Sequence, residues 1–244
     1  MDLTEKTANI NRHPWELSRA HCILNLIKRY TLRNVADIGA GDLFFASKLK
    51  TAVRGDVYAI DTGYGERSKI TDGINCLNNI SDLHRIEDGA IILMDVLEHI
   101  DNDSAFLGAA LEKISVDGLV VITVPSFQFL FSGHDKFLKH LRRYNKKRLL
   151  ALIRSHNLHI ERCHYFYTSL FFIRILTLLL KKHQKNSADK ESGVGTWRFN
   201  EKHIVTRLIY TILNIDFNVC GFFAKFKIFL PGLSLLAVCK KQEK

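Results

Sequence analysis

Four short stretches of the chain hold side chains that could bind a nucleoside and handle chemistry beside it. The first, Asp37-Ile38-Gly39-Ala40-Gly41-Asp42, places two glycines where an apolar run turns. Glycine lets backbone approach a ligand closely, and the amides that open a following helix can receive a carboxylate or phosphate. Asp61 closes the next apolar run, twenty residues after Gly41, and a carboxylate there can accept both hydroxyls of a ribose. Asn78-Asn79-Ile80-Ser81-Asp82 offers polar atoms to an adenine edge, and Asp95-Val96-Leu97-Glu98-His99 adds two carboxylates and an imidazole. Gly39, Gly41 and Asp61 together point to an adenosine-type ligand. A dinucleotide-binding turn would need a third glycine at position 44, where the chain has Phe44.

A second group of reactive types lies in FSGHDKFLKHLRRYNKKRL, residues 131 to 149, which holds seven Lys or Arg and two His. His134, Asp135 and His140 are of types that can accept a proton, while Arg142, Arg143 and Tyr144 could clamp an anionic acceptor with forked donors and a phenol. Each could equally be a structural bond anchoring the segment. Glu98 and His99 read either as pocket residues or as a polar cap on the next helix. The HD-x4-H set is a conceivable metal trio, but no fourth ligand accompanies it, and no metal is expected. Lys146, Lys147 and Arg148 follow Asn145, a helix-capping type, and are expected to face water.

The elements that must position these groups follow from the apolar pattern. HPWELSRAHCILNLIKRY, residues 13 to 30, reads as an amphipathic helix with Pro in its first turn. NVADIG, DVYAID, INCLNNI, AIILMDVL and GLVVITVP read as five strands, with LFFASKLK and SAFLGAALEKI as helices between them. Continuously apolar strands alternating with helices indicate a parallel sheet covered on both faces. The fold class expected is doubly wound α/β, with a mostly parallel seven-stranded sheet, an antiparallel last strand and a C-terminal helical insertion. TGYGERSKITDG is expected to be loop or broken helix. KKRLLALIRSHN reads as a helix and HIERCHYFY as a strand, and HQKNSADKESGVG reads as a linker. KHIVTRLIYTIL is expected as a helix, before a hairpin turning at the Pro-Gly of FKIFLPGLSLLAVCKK. SLFFIRILTLLL holds Arg174 and is shorter than the ~20 apolar residues a spanning helix needs, so it reads first as a packed core helix.

Composition bounds the setting. The 244 residues, 47% hydrophobic and 25% charged, suit one folded domain. Five cysteines without CxxC spacing suggest neither a disulfide framework nor a zinc cluster. With a polar start that does not read as a secretory signal, they lead to the expectation of a cytoplasmic protein. Residues 1 to 131 carry 13 basic and 18 acidic side chains, and residues 132 to 244 carry 22 and 7. The second part is therefore suited to an anionic partner.

In order and spacing, the DxGxG turn at 37 to 41, the acidic end of the second strand at Asp61 and the DVLEH segment at 95 to 99 resemble the class I methyltransferases that use S-adenosylmethionine. The resemblance covers residues 10 to 165. It implies that Gly39 and Gly41 lie against the methionine part and ribose, that Asp37 supports the turn and faces the amino group, and that Asp61 holds the ribose hydroxyls. Asn79 or Ile80 would adjoin adenine, and Asp95 would line the pocket beneath the sulfonium. The chain departs from the family at Leu43, where a small residue is usual, and at Asn79, where Asp is frequent.

RHPWE, the VP with GHD and HxRRY, and LPGLSLLAVCKK are similar to segments of a bacterial branch linked to surface polysaccharide or lipid-linked sugar assembly. The resemblance thus implies one methyltransferase domain, residues 1 to 131 forming the cofactor core and 132 to 244 the acceptor side. The expected acceptor is small or lipid-linked, anionic or sugar-containing. His99, His134 and Asp135 are the candidate catalytic residues and His140, Arg142, Arg143 and Tyr144 the candidate acceptor contacts. Peripheral membrane contact through the basic, apolar C-terminal part fits this picture, whereas a transmembrane helix and a nucleic-acid partner are not expected. The rivals are an RNA or protein methyltransferase and a non-catalytic module retaining the fold.

Overall fold

Runs such as Ala-Ile-Ile-Leu and Leu-Val-Val-Ile-Thr-Val offer apolar side chains to both faces of a strand, so each strand needs a layer on either side. A computed structural model, which describes residues 11 to 65, 69 to 183 and 197 to 243, shows how those layers form. Its parallel centre comprises β1 (Asn34–Ile38), β2 (Val57–Ile60), β4 (Ile74–Leu77), β5 (Gly89–Met94) and β6 (Leu119–Pro125). Three strands complete the sheet: β3 (Lys69–Thr71), β7 (Leu158–Phe166) and β8 (Ser234–Lys241). The order is β3-β4-β2-β1-β5-β6-β8-β7, with β3 antiparallel to β4 and β8 antiparallel to both β6 and β7.

Among the described residues eight strands thus stand where seven are expected, because part of the segment read as loop pairs with β4 as a three-residue edge. Residues 66 to 68 of that segment, the polar start at 1 to 10 and the linker reading beyond His183 lie outside the described residues.

One face of the sheet is covered by α1 (Pro14–Ile27), α2 (Phe44–Lys50) and α7 (Ile204–Lys225), which pack Ile23, Ala46 and Phe217 with Val35, Ile92 and Val121. The other is covered by α3 (Asp103–Glu112) and α5 (Lys146–Ser155), which pack Leu107 and Leu149 with Ile38, Ile91 and Ile122. Successive strand residues therefore supply opposite cores, as the two-residue repeat of a strand requires.

Two C-terminal expectations need correction. Phe226 to Leu230 do not form a hairpin strand; β8 enters between β6 and β7 instead, and the Pro-Gly before it is a docking point. There Pro231 accepts from Thr168 Oγ1 at 2.6 Å, Gly232 accepts from Ser126, and a Cβ on Gly232 would stand 2.2 Å from the Phe166 carbonyl oxygen. Nor is α6 (Thr168–His183) a core helix. Phe171 is buried, but Phe172, Ile173, Leu176, Leu179 and Leu180 are exposed. Its first turn is held by α7, whose Asp216 accepts from the amides of Thr168 and Ser169 at 2.9 and 2.7 Å.

Candidate active site

Strand order reverses at β1, which pairs with β2 on one side and β5 on the other. The carboxyl ends of strands at such a switch form the crevice in which open α/β folds bind ligands. The glycine turn, Asp61, the Asn78-Asn79 pair and Asp95 all follow strand ends at this edge.

The turn is held open by its glycines. Gly39 and Gly41 have φ of 76° and 55°, and a Cβ on Gly39 would come within 2.6 Å of Val96 Cγ2. Leu43, where the family usually has a small residue, also lies in the left-handed region at φ 66°, just before α2. Gly41 N–H donates to Asp61 Oδ2 at 2.9 Å, and Gly63 N–H donates to Oδ1 at the same distance. Asp61 is thereby fixed between two loops, with carboxylate lone pairs left over for further donors.

Three buried polar atoms around this turn have no hydrogen-bond partner among the described residues: Asp37 Oδ2, Tyr64 Oη and Asn78 Oδ1. Buried polar atoms are ordinarily satisfied, so such a set at a strand edge fits a polar ligand that would satisfy it. Burial pushes the Asp37 carboxyl up to about 7 despite the nearby Arg19. Asn79 is exposed, and its Oδ1 caps the short turn 80–82 by accepting from Ser81 N–H at 3.0 Å. Of the two asparagines, Asn79 thus has its side-chain oxygen engaged, and Asn78 does not.

Arg19 of α1 fills the space between these groups. Its guanidinium pairs with Asp95, stacks on Trp15 at 4.6 Å and feels the charges of Glu16, Glu98 and Asp37. Asp95 itself has φ 54° and accepts from Thr123 Oγ1 at 3.0 Å. The cleft lined by Arg19, Asp37, Gly39, Phe44 and Met94 holds only about 30 Å³, room for a water rather than a nucleoside. A roomier cavity, about 520 Å³, lies among Arg33, Arg54, Asp88 and Asp117. It is at the amino ends of β1, β5 and β6, away from the chemistry-bearing residues. Arg19, paired with Asp95, lines this cleft at the carboxyl edge.

The basic segment after β6 folds against the turn that follows β5. Tyr144 N–H donates to Pro125 at 2.8 Å, Phe127 N–H to Tyr144 at 2.7 Å and Leu141 N–H to Glu98 at 2.8 Å. This seam absorbs most of the residues expected to clamp an acceptor. Fully buried Asp135 accepts from Ser132 N–H at 2.9 Å, from Arg143 Nε at 2.7 Å and from Arg143 Nη2 at 3.1 Å. Burial alone would raise its carboxyl, but the bonds from His140 and Arg143 outweigh that and hold it well below the usual range. A carboxylate so held cannot take a proton near neutral pH, so Asp135 is corrected from candidate base to buried anchor.

Arg143, 8% exposed, is its partner rather than an acceptor contact. Arg142 donates to the carbonyls of Ile100 and Asp101 at 2.7 and 2.9 Å, and the fully buried Tyr144 donates to Asp103 at 2.7 Å. These two are likewise structural, because their polar atoms already serve the seam. Arg148 pairs with Asp103 at 3.5 Å and Lys146 lies over the Phe229 ring, so two of the three cations expected in water have partners.

His140, His99 and Glu98 are brought together instead. His140 Nδ1 lies 3.0 Å from Asp135 Oδ1, its Nε2 lies 4.0 Å from Glu98 Oε1, and its ring meets that of His99 edge-on at 4.7 Å. Glu98 is fully buried, and burial raises its carboxyl to about 8. His134 stands half-buried in α4 (Gly133–Phe137). An aromatic wall of Phe127, Phe129, Tyr165 and Phe171 was missed from sequence; Phe127 stacks on Tyr165 at 4.8 Å and leads to α6 through Phe171 at 5.3 Å. The spacing FQF after Pro125 was its one visible sign.

Neither a protein-family model nor a curated protein matches the sequence. Solved structures do match its backbone. An S-adenosylmethionine-dependent methyltransferase from Archaeoglobus fulgidus aligns over 93% of this chain and 94% of its own, at TM-score 0.51 and 14% identity. The chain has the methyltransferase fold. Haemonchus contortus phosphoethanolamine N-methyltransferase 2, solved with phosphomonomethylethanolamine and S-adenosylhomocysteine, aligns over 94% of this chain and 53% of its own, at TM-score 0.53 and 10% identity. The [4+2]-cyclase SpnF shares this methyltransferase fold at TM-score 0.54 and 14% identity, over 97% of this chain and 86% of its own. A fold common to transferases and a cyclase does not by itself name a reaction.

Proposed function

We propose that the protein is an S-adenosylmethionine-dependent methyltransferase acting on a small or lipid-linked acceptor that is anionic or carries a sugar. The observation that carries the reading is the Gly41–Asp61 bond beside three orphaned polar atoms, Asp37 Oδ2, Tyr64 Oη and Asn78 Oδ1, at the switch point of this fold. S-adenosylmethionine supplies an activated methyl on a cationic sulfur, so the chain chiefly has to align an acceptor and exclude water. Gly39 and Gly41 give the close backbone approach, Asp61 receives ribose hydroxyls, and Asp37 and Asp95 face the cationic amino-acid end. Phe127 and Phe129 form the apolar wall on the acceptor side. Asp135 is held by Arg143, and His134 and His99 are the imidazoles proposed to take an acceptor proton.

Calorimetric titration with S-adenosylhomocysteine tests this directly. Saturable one-to-one binding is expected; no heat at millimolar ligand would remove the enzyme reading and leave the non-catalytic module.

The lipid-linked version rests on α6 and α7. Leu208, Ile212, Ile215, Phe222 and Phe226 of the second helix and its end are exposed, beside exposed Arg207, Lys225 and Lys227. Apolar side chains edged by cations suit the boundary of an anionic lipid surface. No helix among the described residues is long and apolar enough to cross a membrane, so the contact is peripheral. An RNA acceptor is less well served, because Arg142 and Arg143 of the basic segment are engaged inside the protein.

A further inference from the structure

Chain segments forty residues apart bring three ligand-type side chains to one point. Glu98, His99 and His140 each place one donor atom within 4.8 Å of the other two. Glu98 has no exposed surface, and neither of its carboxylate oxygens accepts a hydrogen bond among the described residues. A buried carboxylate is costly unless something positive or hydrogen-bonding meets it. His140 is oriented from behind: Asp135, itself locked by Arg143, holds Nδ1 at 3.0 Å. That bond fixes the proton on Nδ1 and leaves the lone pair of Nε2 on the side of Glu98, 4.0 Å from Oε1. Carboxylate behind imidazole is the arrangement by which metal-binding histidines are set.

We propose that Glu98, His99 and His140 form a binding site for a single divalent cation of borderline softness, such as Zn²⁺ or Co²⁺. Two imidazoles and a carboxylate are the donor set such ions prefer, and three protein ligands leave positions open for water or a substrate oxygen. Donors about 2.1 Å from one ion lie about 3.4 Å apart in a tetrahedral arrangement, so the 4.8 Å spread closes with a movement of about 1.4 Å among the side chains. The ligands are not the HD-x4-H set of the sequence: Asp135 stands in the outer layer, and the DVLEH turn supplies the other two donors. What the ion does there rests on the methyl-transfer reading. An acceptor hydroxyl bound at an open position would lose its proton more readily to a neighbouring base, and its oxygen would bond the methyl carbon as the carbon–sulfur bond of the sulfonium breaks and S-adenosylhomocysteine leaves.

The test uses the full chain, stripped with a chelator and titrated with Co²⁺ or Zn²⁺ alone. One ion per chain is expected, with the visible ligand-field band of a histidine-bound Co²⁺. Glu98→Gln and His140→Asn should each weaken binding by about 100-fold or more, a larger loss than the ten- to hundredfold typical of outer-layer changes. The exposed His84→Asn should leave binding unchanged. His99→Asn serves if a thermal melt shows either of the first two unfolded. No ion bound, or equal binding by all the variants, would overturn the site. S-adenosylhomocysteine binding by the stripped chain separates the two readings: retained nucleoside binding without ion binding sinks only this site, and the reverse sinks only the transferase.

Discussion

The backbone N–H of Gly41 reaches the carboxylate of Asp61 at 2.9 Å, joining the turn after β1 to the turn after β2. One side chain thus both shapes the glycine turn and presents oxygens at the ligand edge. Replacing Asp61 by Ala should lower S-adenosylhomocysteine affinity by about 1–3 kcal/mol, the range for leaving buried hydrogen-bonding groups unpaired. Calorimetry reads the loss; unchanged affinity would refute the placement of the ribose.

Gly39 owes its identity to φ 76° and to the Val96 methyl that a Cβ would meet at 2.6 Å. Gly39→Ala should cost about 1–2 kcal/mol for the left-handed backbone alone, with the clash in addition. Adding Val96→Ala should recover the clash but not the backbone cost. A urea-unfolding cycle over the four proteins would show no coupling if the contact is irrelevant.

Asp37 makes stability depend on pH in an unusual direction for an acid. Its folded-state pKa, lifted to about 7 by burial, lies above the ordinary value, so the folded chain favours the protonated form. Stability from this group is full below about pH 4 and is lost as pH rises towards 7. The unfolding free energy of Asp37→Asn relative to the parent should therefore climb across that window and level off above it. A difference that stays flat with pH would place the proton elsewhere.

Arg143 and Asp135 form a buried pair whose members do not tolerate separation. Arg143→Ala should destabilise by about 3–5 kcal/mol, because it strands a buried carboxylate. Arg148→Ala, at a half-exposed pair with Asp103, should change stability by less than about 0.5 kcal/mol. Chemical denaturation compares the two; equal small effects would return Arg143 to the list of acceptor contacts.

The exposed face of α6 and α7 should bind vesicles containing anionic phospholipid and release them at high salt. Leu176→Asp with Phe222→Asp should abolish co-sedimentation while leaving S-adenosylhomocysteine binding intact. Equal sedimentation with neutral vesicles, or with the double variant, would rule out this surface.

Much of this architecture is local and therefore readable along the chain. Unbroken apolar runs mark strands buried on both faces; Gly39 and Gly41 mark the turn; Asp61 and Asp95 mark strand ends. Those features depend on a few adjacent residues, so the sequence by itself determined the doubly wound sheet and the edge at which a nucleoside would sit. The three-residue β3, the path of β8 and the exposure of α6 depend on pairing and cover supplied by distant segments.

The chemistry of the basic stretch was likewise beyond a one-dimensional reading. Arg142, Arg143 and Tyr144 look like acceptor contacts until the carbonyls of Ile100 and Asp101 and the carboxylates of Asp103 and Asp135 close around them. Tertiary structure alone decided which donors were already satisfied, and it alone placed His140 beside Glu98 and His99. The reason is physical: a side chain's type is fixed by its position in sequence, but its charge, freedom and reach are fixed by whatever packs against it.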